Sequence, residues 1–337
     1  MHRTFTRAVA LVGAAALTLG LAACSSDDDA ASESSSEETT AEESGEWPRT
    51  VEHENGTTDI ESAPERIVST SVTLTGGLLS IDAPVVASAA TTPSEGLTDE
   101  NGFFAQWSDA AAEQGVEVAY PDLTLDLEAV IAAEPDLIVA SSTGADATAD
   151  SYDQLSEIAP TVVIDYSGKS WQDVNTLLAE ATGLEAEAEA AVTEYEEHVA
   201  DVAAAITVPE GETQIVAYNG TSQDAAFGKT TGPHADIVAA LGFEVVGVPD
   251  EVDTSEQARQ DFAFVSIENT VENLTAPTVL LINSTEETAE SLRTEPLFAS
   301  APAVTDGVVV PLGPTSFRID YYSATGIVDT LADEFGA

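Results

Sequence analysis

Short apolar runs alternate with helical patterns along residues 47–337. In the first half, Arg66–Thr70, Pro84–Ser88, Asp136–Ala140 and Thr161–Asp165 are apolar clusters of strand length. Between them lie segments such as Leu125–Ala133, whose apolar spacing and charged flanks predict helices. The second half repeats the rhythm at Gln214–Tyr218, Glu244–Val248, Thr278–Asn283 and Val308–Pro311. Strand, helix, strand at this spacing predicts parallel sheet covered by helices.

One segment breaks the rhythm. Leu184–Ile206 contains neither Gly nor Pro, and its apolar residues Leu184, Ala188, Val192, Tyr195, Val199, Val202 and Ile206 draw one continuous stripe. Such a helix is about 35 Å long, the width of a small domain. Placed between two similar halves, it reads as a bridge rather than as a surface helix of a single domain. The expected fold is α/β: two Rossmann-like lobes with central, mostly parallel sheets, joined by one long α-helix. The boundaries are a lobe over residues 47–168, a helical bridge over 169–207 and a second lobe over 208–337. A ligand of such a fold sits in the cleft between the lobes, beyond the carboxyl ends of the strands.

Charge changes the picture next. The chain has 61 acidic and nine basic side chains, a formal charge of −52. Nucleic acid and anionic lipid would both be repelled, so neither is an expected partner. Met1–Arg7 is basic and Ala8–Leu21 is a small-apolar run too short to span a bilayer. Leu21-Ala22-Ala23-Cys24 follows, holding the only cysteine, and looks like a bacterial lipoprotein signal. On that reading residues 1–23 are removed, Cys24 is lipidated, and the protein works as a monomer anchored to the outer face of the cell membrane. The mature chain then has seven basic against 61 acidic groups, or −54. Residues 24–46, rich in Ser, Asp and Glu, read as a disordered acidic tether of roughly 25 Å reach or more.

With the lone cysteine lipidated, disulfides and thiolate metal sites are excluded. His53, His198 and His234 are too few and too scattered for a zinc or manganese importer, so no metal ligands are expected. Tyr321-Tyr322 could suggest a site for bare ferric ion, but no second ligand set accompanies it. Gly228-Lys229-Thr230 lacks the earlier glycine of a phosphate loop, since position 223 is Gln. There is no Gly-x-Ser-x-Gly elbow, no His-Glu-x-x-His and no catalytic cysteine, so an enzyme is not expected. A siderophore hydrolase using a carboxylate pair hidden among the many acids is the rival from that class.

Pro64–Gly77, Ile81–Ser88, Thr91-Thr92-Pro93, Gln106-Trp107-Ser108, Tyr152–Thr161, Lys169-Ser170-Trp171 and Ser316–Ala324 closely resemble the ferric-enterobactin-binding proteins. These are class III substrate-binding lipoproteins of iron–siderophore ABC importers. The resemblance implies a binder that captures a ferric siderophore, a catecholate of the enterobactin type, and delivers it to ABC permease subunits. It implies no cofactor, iron entering only as the siderophore complex. Arg318 matches a family arginine that contacts ligand, the plainer reading being a pair with Asp320 or another carboxylate, and Trp107 suits the core as well as the cleft. The family's second ligand arginine falls on Gly96 and its tryptophan on Gly228, which leaves hydroxamates, mixed chelators, haem or cobalamin open. Phe227 and Lys229 flank Gly228 and are the expected replacements, an aromatic face and a charge. Glu128 and Glu268 open equivalent helical stretches in the two halves. The resemblance assigns them to docking on permease arginines; the plainer reading is a carboxylate favoured by the helix dipole.

Overall fold

The computed structural model describes residues 47–255 and 259–336. The expected signal sequence of residues 1–23, Cys24 and the expected tether of residues 24–46 lie outside the described residues. The chain enters through a hairpin, β1 (Arg49–His53) and β2 (Gly56–Ile60), that alternation did not reveal. It then builds β3 (Ile67–Ser69), α1 (Val72–Ser80), β4 (Val85–Ala89), α2 (Ser108–Gln114) and β5 (Glu117–Tyr120). α3 (Leu127–Ala132), β6 (Leu137–Ser141), α4 (Tyr152–Ser156) and β7 (Thr161–Ile164) complete the first lobe. Its five strands are all parallel, in the order β5-β4-β3-β6-β7. The chain steps outward one way through β4 and β5 and the other way through β6 and β7. The switch point therefore lies between β3 and β6, where loops diverge and a ligand can enter.

Two helices connect the lobes. α5 (Trp171–Thr182) starts at a Ser170–Asp173 capping box and ends on Gly183 in the left-handed region. α6 (Glu185–Ala205) is the expected long helix. Leu184 and Ala188 pack into the first lobe's core, while Tyr195, Val199 and Val202 pack into the second lobe's core. One stripe thus serves two cores, and for that reason it runs unbroken over so many turns.

The second lobe comprises β8 (Glu212–Ala217), β9 (Ala225–Gly228), α7 (Pro233–Ala240), β10 (Glu244–Val245), β11 (Phe262–Val265), α8 (Ile267–Asn273) and β12 (Thr278–Leu281). α9 (Glu286–Thr294), α10 (Pro302–Thr305), β13 (Val308–Pro311) and α11 (Tyr321–Phe335) follow. The sheet order is β11-β9-β8-β12-β13, with β10 also on β8. Here β9 runs antiparallel to both neighbours. It occupies the Val216–Ala217 edge of β8, so only Glu244 and Val245 can pair, at Glu212 and Thr213. The expected strand through Val248 is shortened for that reason.

Each sheet is buried on both faces, by α1 and α5 against α3 and α4 in the first lobe. In the second, α6, α7 and α11 cover one face and α8 and α9 the other. No described helix is long and apolar enough to cross a membrane.

Candidate functional site

A cavity of about 560 Å³ opens between the lobes, within the size range of small-molecule sites, about 300–1,000 Å³. The first lobe contributes Thr73 at the start of α1, which follows β3, and the loops beyond the carboxyl ends of β6 and β7, Thr143–Ala145 and Tyr166–Lys169. The second contributes the start of α7, the approach to β11 and the loop between β13 and α11. The switch point of the first sheet is therefore part of the wall.

That first-lobe wall is held by one buried carboxylate. Asp146 accepts from Ser71 Oγ at 2.6 Å and from the Thr73 N–H at 2.9 Å, both at the start of α1. It also accepts from the Tyr166 hydroxyl at 2.9 Å, which fixes that ring at the cavity. Burial and the charge of Asp146 push the Tyr166 hydroxyl well above the usual phenol range, while Arg318 pulls it the other way. The Arg318 charge thus reaches the opposite wall.

Arg318 lines the cavity. Its guanidinium carbon lies 4.9 Å from the centroid of Phe104, and its carbonyl accepts from Ser323 Oγ at 2.7 Å. The neighbouring acid does not neutralise it. Asp320 is buried, caps α11 through the Ser323 N–H at 2.8 Å, and accepts from Gln106 Nε2 of the other lobe at 3.1 Å. Burial raises its carboxyl above the usual range despite these bonds. Arg318 has no ion pair with any described residue.

The other expected ligand residues are placed elsewhere. Trp107 is 0% exposed and packs on Phe103 and Phe104, so it belongs to the first lobe's core. Phe227 is 1% exposed and packs with Val216, Tyr218 and Val265 on the α8–α9 side of the second sheet. Alternation along β9 turns it away from the cleft. Lys229 pairs with Asp253 at 3.0 Å and donates to the Arg259 carbonyl, and it does not line the cavity. Burial alone would raise Asp253, but bonds from Ser255, Lys229 and the Phe264 N–H outweigh it and hold the carboxyl well below its usual range. At Gly228 a Cβ would lie 3.1 Å from Ile215 Cβ, so any side chain there would have to displace Ile215.

Instead, the aromatic wall is Tyr166, Trp171, His234, Phe262 and Phe317. Phe262 and Phe317 stack at 5.6 Å with an 8° interplanar angle. His234 Nε2 donates to the Ser316 carbonyl at 2.8 Å, and burial depresses its pKa to about 4, so the ring is neutral. Further cavity cations are Lys169 and Arg259. The Lys169-Ser170-Trp171 match was a signal for two of these residues; Arg259, Phe262 and Tyr166 carried none.

The histidines lie apart: His53 against Thr58, His198 against Asp329 and His234 in the cavity wall. Among the described residues no group of three or more His, Asp, Glu or Cys is placed to hold a metal ion. Tyr321 and Tyr322 divide between the two cores. Glu128 and Glu268 are exposed and sit in the first turns of α3 and α8, behind caps at Asp126 and Ser266. Both helices leave an edge strand, β5 and β11, and lead into an interior one, β6 and β12.

The sequence matches the family model for periplasmic binding proteins over residues 67–315. It is 38% identical over 293 residues to the ferric enterobactin-binding periplasmic protein FepB of Escherichia coli O6:H1, covering 86% of this chain and 92% of that protein. The structure of holo-ViuP superposes with a TM-score of 0.79 at 36% identity, over 87% of this chain and 97% of that one. Staphylococcus aureus SirA complexed with staphyloferrin B shares the fold, with a TM-score of 0.63 at 20% identity, over 85% and 96% of the two chains.

Proposed function

The chain belongs to the periplasmic binding protein family, and we propose that it captures a ferric siderophore of the catecholate class and delivers it to an ABC importer. It is a binding protein, not an enzyme. The observation that carries the ligand class is Arg318: a guanidinium at an aromatic-walled cavity, with no described carboxylate within 4.0 Å, in a chain of −52 formal charge. Such a group is suited to the oxyanions of a metal-bound catecholate, and the rings to its aromatic faces. Similarity to FepB supports the same class. Iron arrives as part of the chelate, with no resident cofactor.

The test is titration of the soluble 47–337 fragment with a panel of ferric chelates, read by tryptophan fluorescence, since Trp171 is in the cavity wall. Ferric enterobactin should saturate the wild type. Arg318→Ala should weaken its binding by roughly ten- to a hundredfold, the cost of about 1.5–3 kcal/mol for a charge-assisted hydrogen bond. A neutral hydroxamate chelate is affected less. Saturation only by haem or cobalamin would overturn the assignment.

Glu128 and Glu268 are proposed to meet the permease, one from each lobe. Cys24 is proposed as the lipid anchor, which holds the binder outside the membrane beside its importer. Cys24→Ser should abolish labelling by a lipid precursor and release the protein from the membrane fraction. Retained labelling would refute the anchor.

A further inference from the structure

We propose that Lys169 is the second ligand-gripping cation of the cavity, acting from the first lobe against Arg318 of the second; this rests on the catecholate reading above. For such a second cation Lys229 is the obvious candidate in the sequence. Among the described residues, three cations line the cavity: Lys169, Arg259 and Arg318. Arg259 is held by both oxygens of Asp261, at 2.8 and 2.6 Å, so its fork is already satisfied. Lys229 is outside the wall and paired with Asp253. Among described residues, Lys169 and Arg318 are the cavity cations with no carboxylate within 4.0 Å.

Local structure fixes where Lys169 stands. Gly168 turns the chain at φ +65, where a Cβ would lie 3.7 Å from Gln260 Cγ of the other lobe. Immediately after Lys169, the Ser170–Asp173 capping box starts α5. The lysine therefore sits on a short, doubly anchored turn that already meets the second lobe. Tyr166, on the same turn, feels the charge of Arg318. A multiply charged anion in the cavity would be gripped by one cation from each lobe, whereas a neutral chelate needs neither. Lysine supplies a point charge without a fixed fork, so it adds affinity for charge more than for shape. The field of the remaining carboxylates opposes every anion, which makes each unpaired cation count.

The experiment measures ferric enterobactin affinity at one fixed ionic strength for wild type, Lys169→Met, Lys169→Arg and Lys229→Met, with circular dichroism to confirm folding. Lys169→Met should weaken binding roughly tenfold, Lys169→Arg should hold it within about threefold, and Lys229→Met should leave it within about twofold. If wild type binds and Lys169→Met stays within about twofold of it, the lysine is only a solvated turn residue and the inference falls alone. A larger loss in Lys229→Met than in Lys169→Met would also overturn it, returning the charge to Lys229. Failure of the wild type to bind ferric enterobactin at all would remove the catecholate reading and this inference together.

Discussion

Single residues decide what the cavity can hold, and their placement follows from contacts between distant parts of the chain. Arg318 was legible because a longer match surrounds it. Trp107 and Phe227 were not, since a bulky aromatic reads the same in a core as in a cleft until the strand's face is known. Lys229 is captured by Asp253, a partner 24 positions away on a separate loop. His234 gives a residue-scale test. Its folded pKa of about 4 lies below its ordinary value of 6.5, so the unfolded chain binds its proton first. Stability from this group is therefore complete above pH 6.5 and is lost as pH falls towards 4. The loss is about 2 kcal/mol by pH 5 and on the order of 3 kcal/mol in all. His53, also lowered by burial, acts in the same direction; buried Asp320, raised, acts in the opposite one at lower pH. Comparing wild type with His234→Gln isolates the one ring. The variant's melting temperature should fall less steeply between pH 7 and 5, and parallel slopes would show that the ring accommodates its charge.

At the scale of elements, the pattern of apolar runs located the buried parallel strands and the long helix to within a residue or two. It missed β5, β9 and β11 and the opening hairpin. β9 is Ala-Ala-Phe-Gly, without a β-branched residue, and is a strand only because β8 and β11 flank it. β5 is an edge strand, half exposed, so its alternation is weak. The paired helix starts were legible from sequence because the two halves repeat. Glu128 and Glu268 each follow a capped start and project from surfaces that the cavity does not use. Removing them should therefore separate docking from binding. Glu128→Ala and Glu268→Ala should leave siderophore affinity unchanged while reducing uptake or permease association. Exposed ion pairs are each worth about 0.2–1 kcal/mol, so the double variant should show clearly what either single change shows faintly. Loss of ligand affinity in these variants would place the carboxylates at the cleft instead.

For the whole molecule, the two-lobe plan and the acidic surface pull on the ligand in opposite senses. Nine basic groups against 61 acidic ones give the chain a formal charge of −52, so an anionic chelate approaches against a repulsive field. That field acts through solvent and is screened over a Debye length of about 30 Å at 0.01 M salt and about 10 Å at 0.1 M. Lys169 and Arg318 are half-buried at the junction of the lobes and act at short range, where salt screens them less. Approach and retention should therefore respond differently to ionic strength. The association rate of ferric enterobactin should rise severalfold as salt is increased from 10 to 300 mM, the reverse of an electrostatically steered encounter, while dissociation changes little. Stopped-flow fluorescence over that range measures both. A falling association rate would mean that the cavity cations dominate the field at the cleft mouth and that the acidic groups lie on surfaces the ligand never crosses.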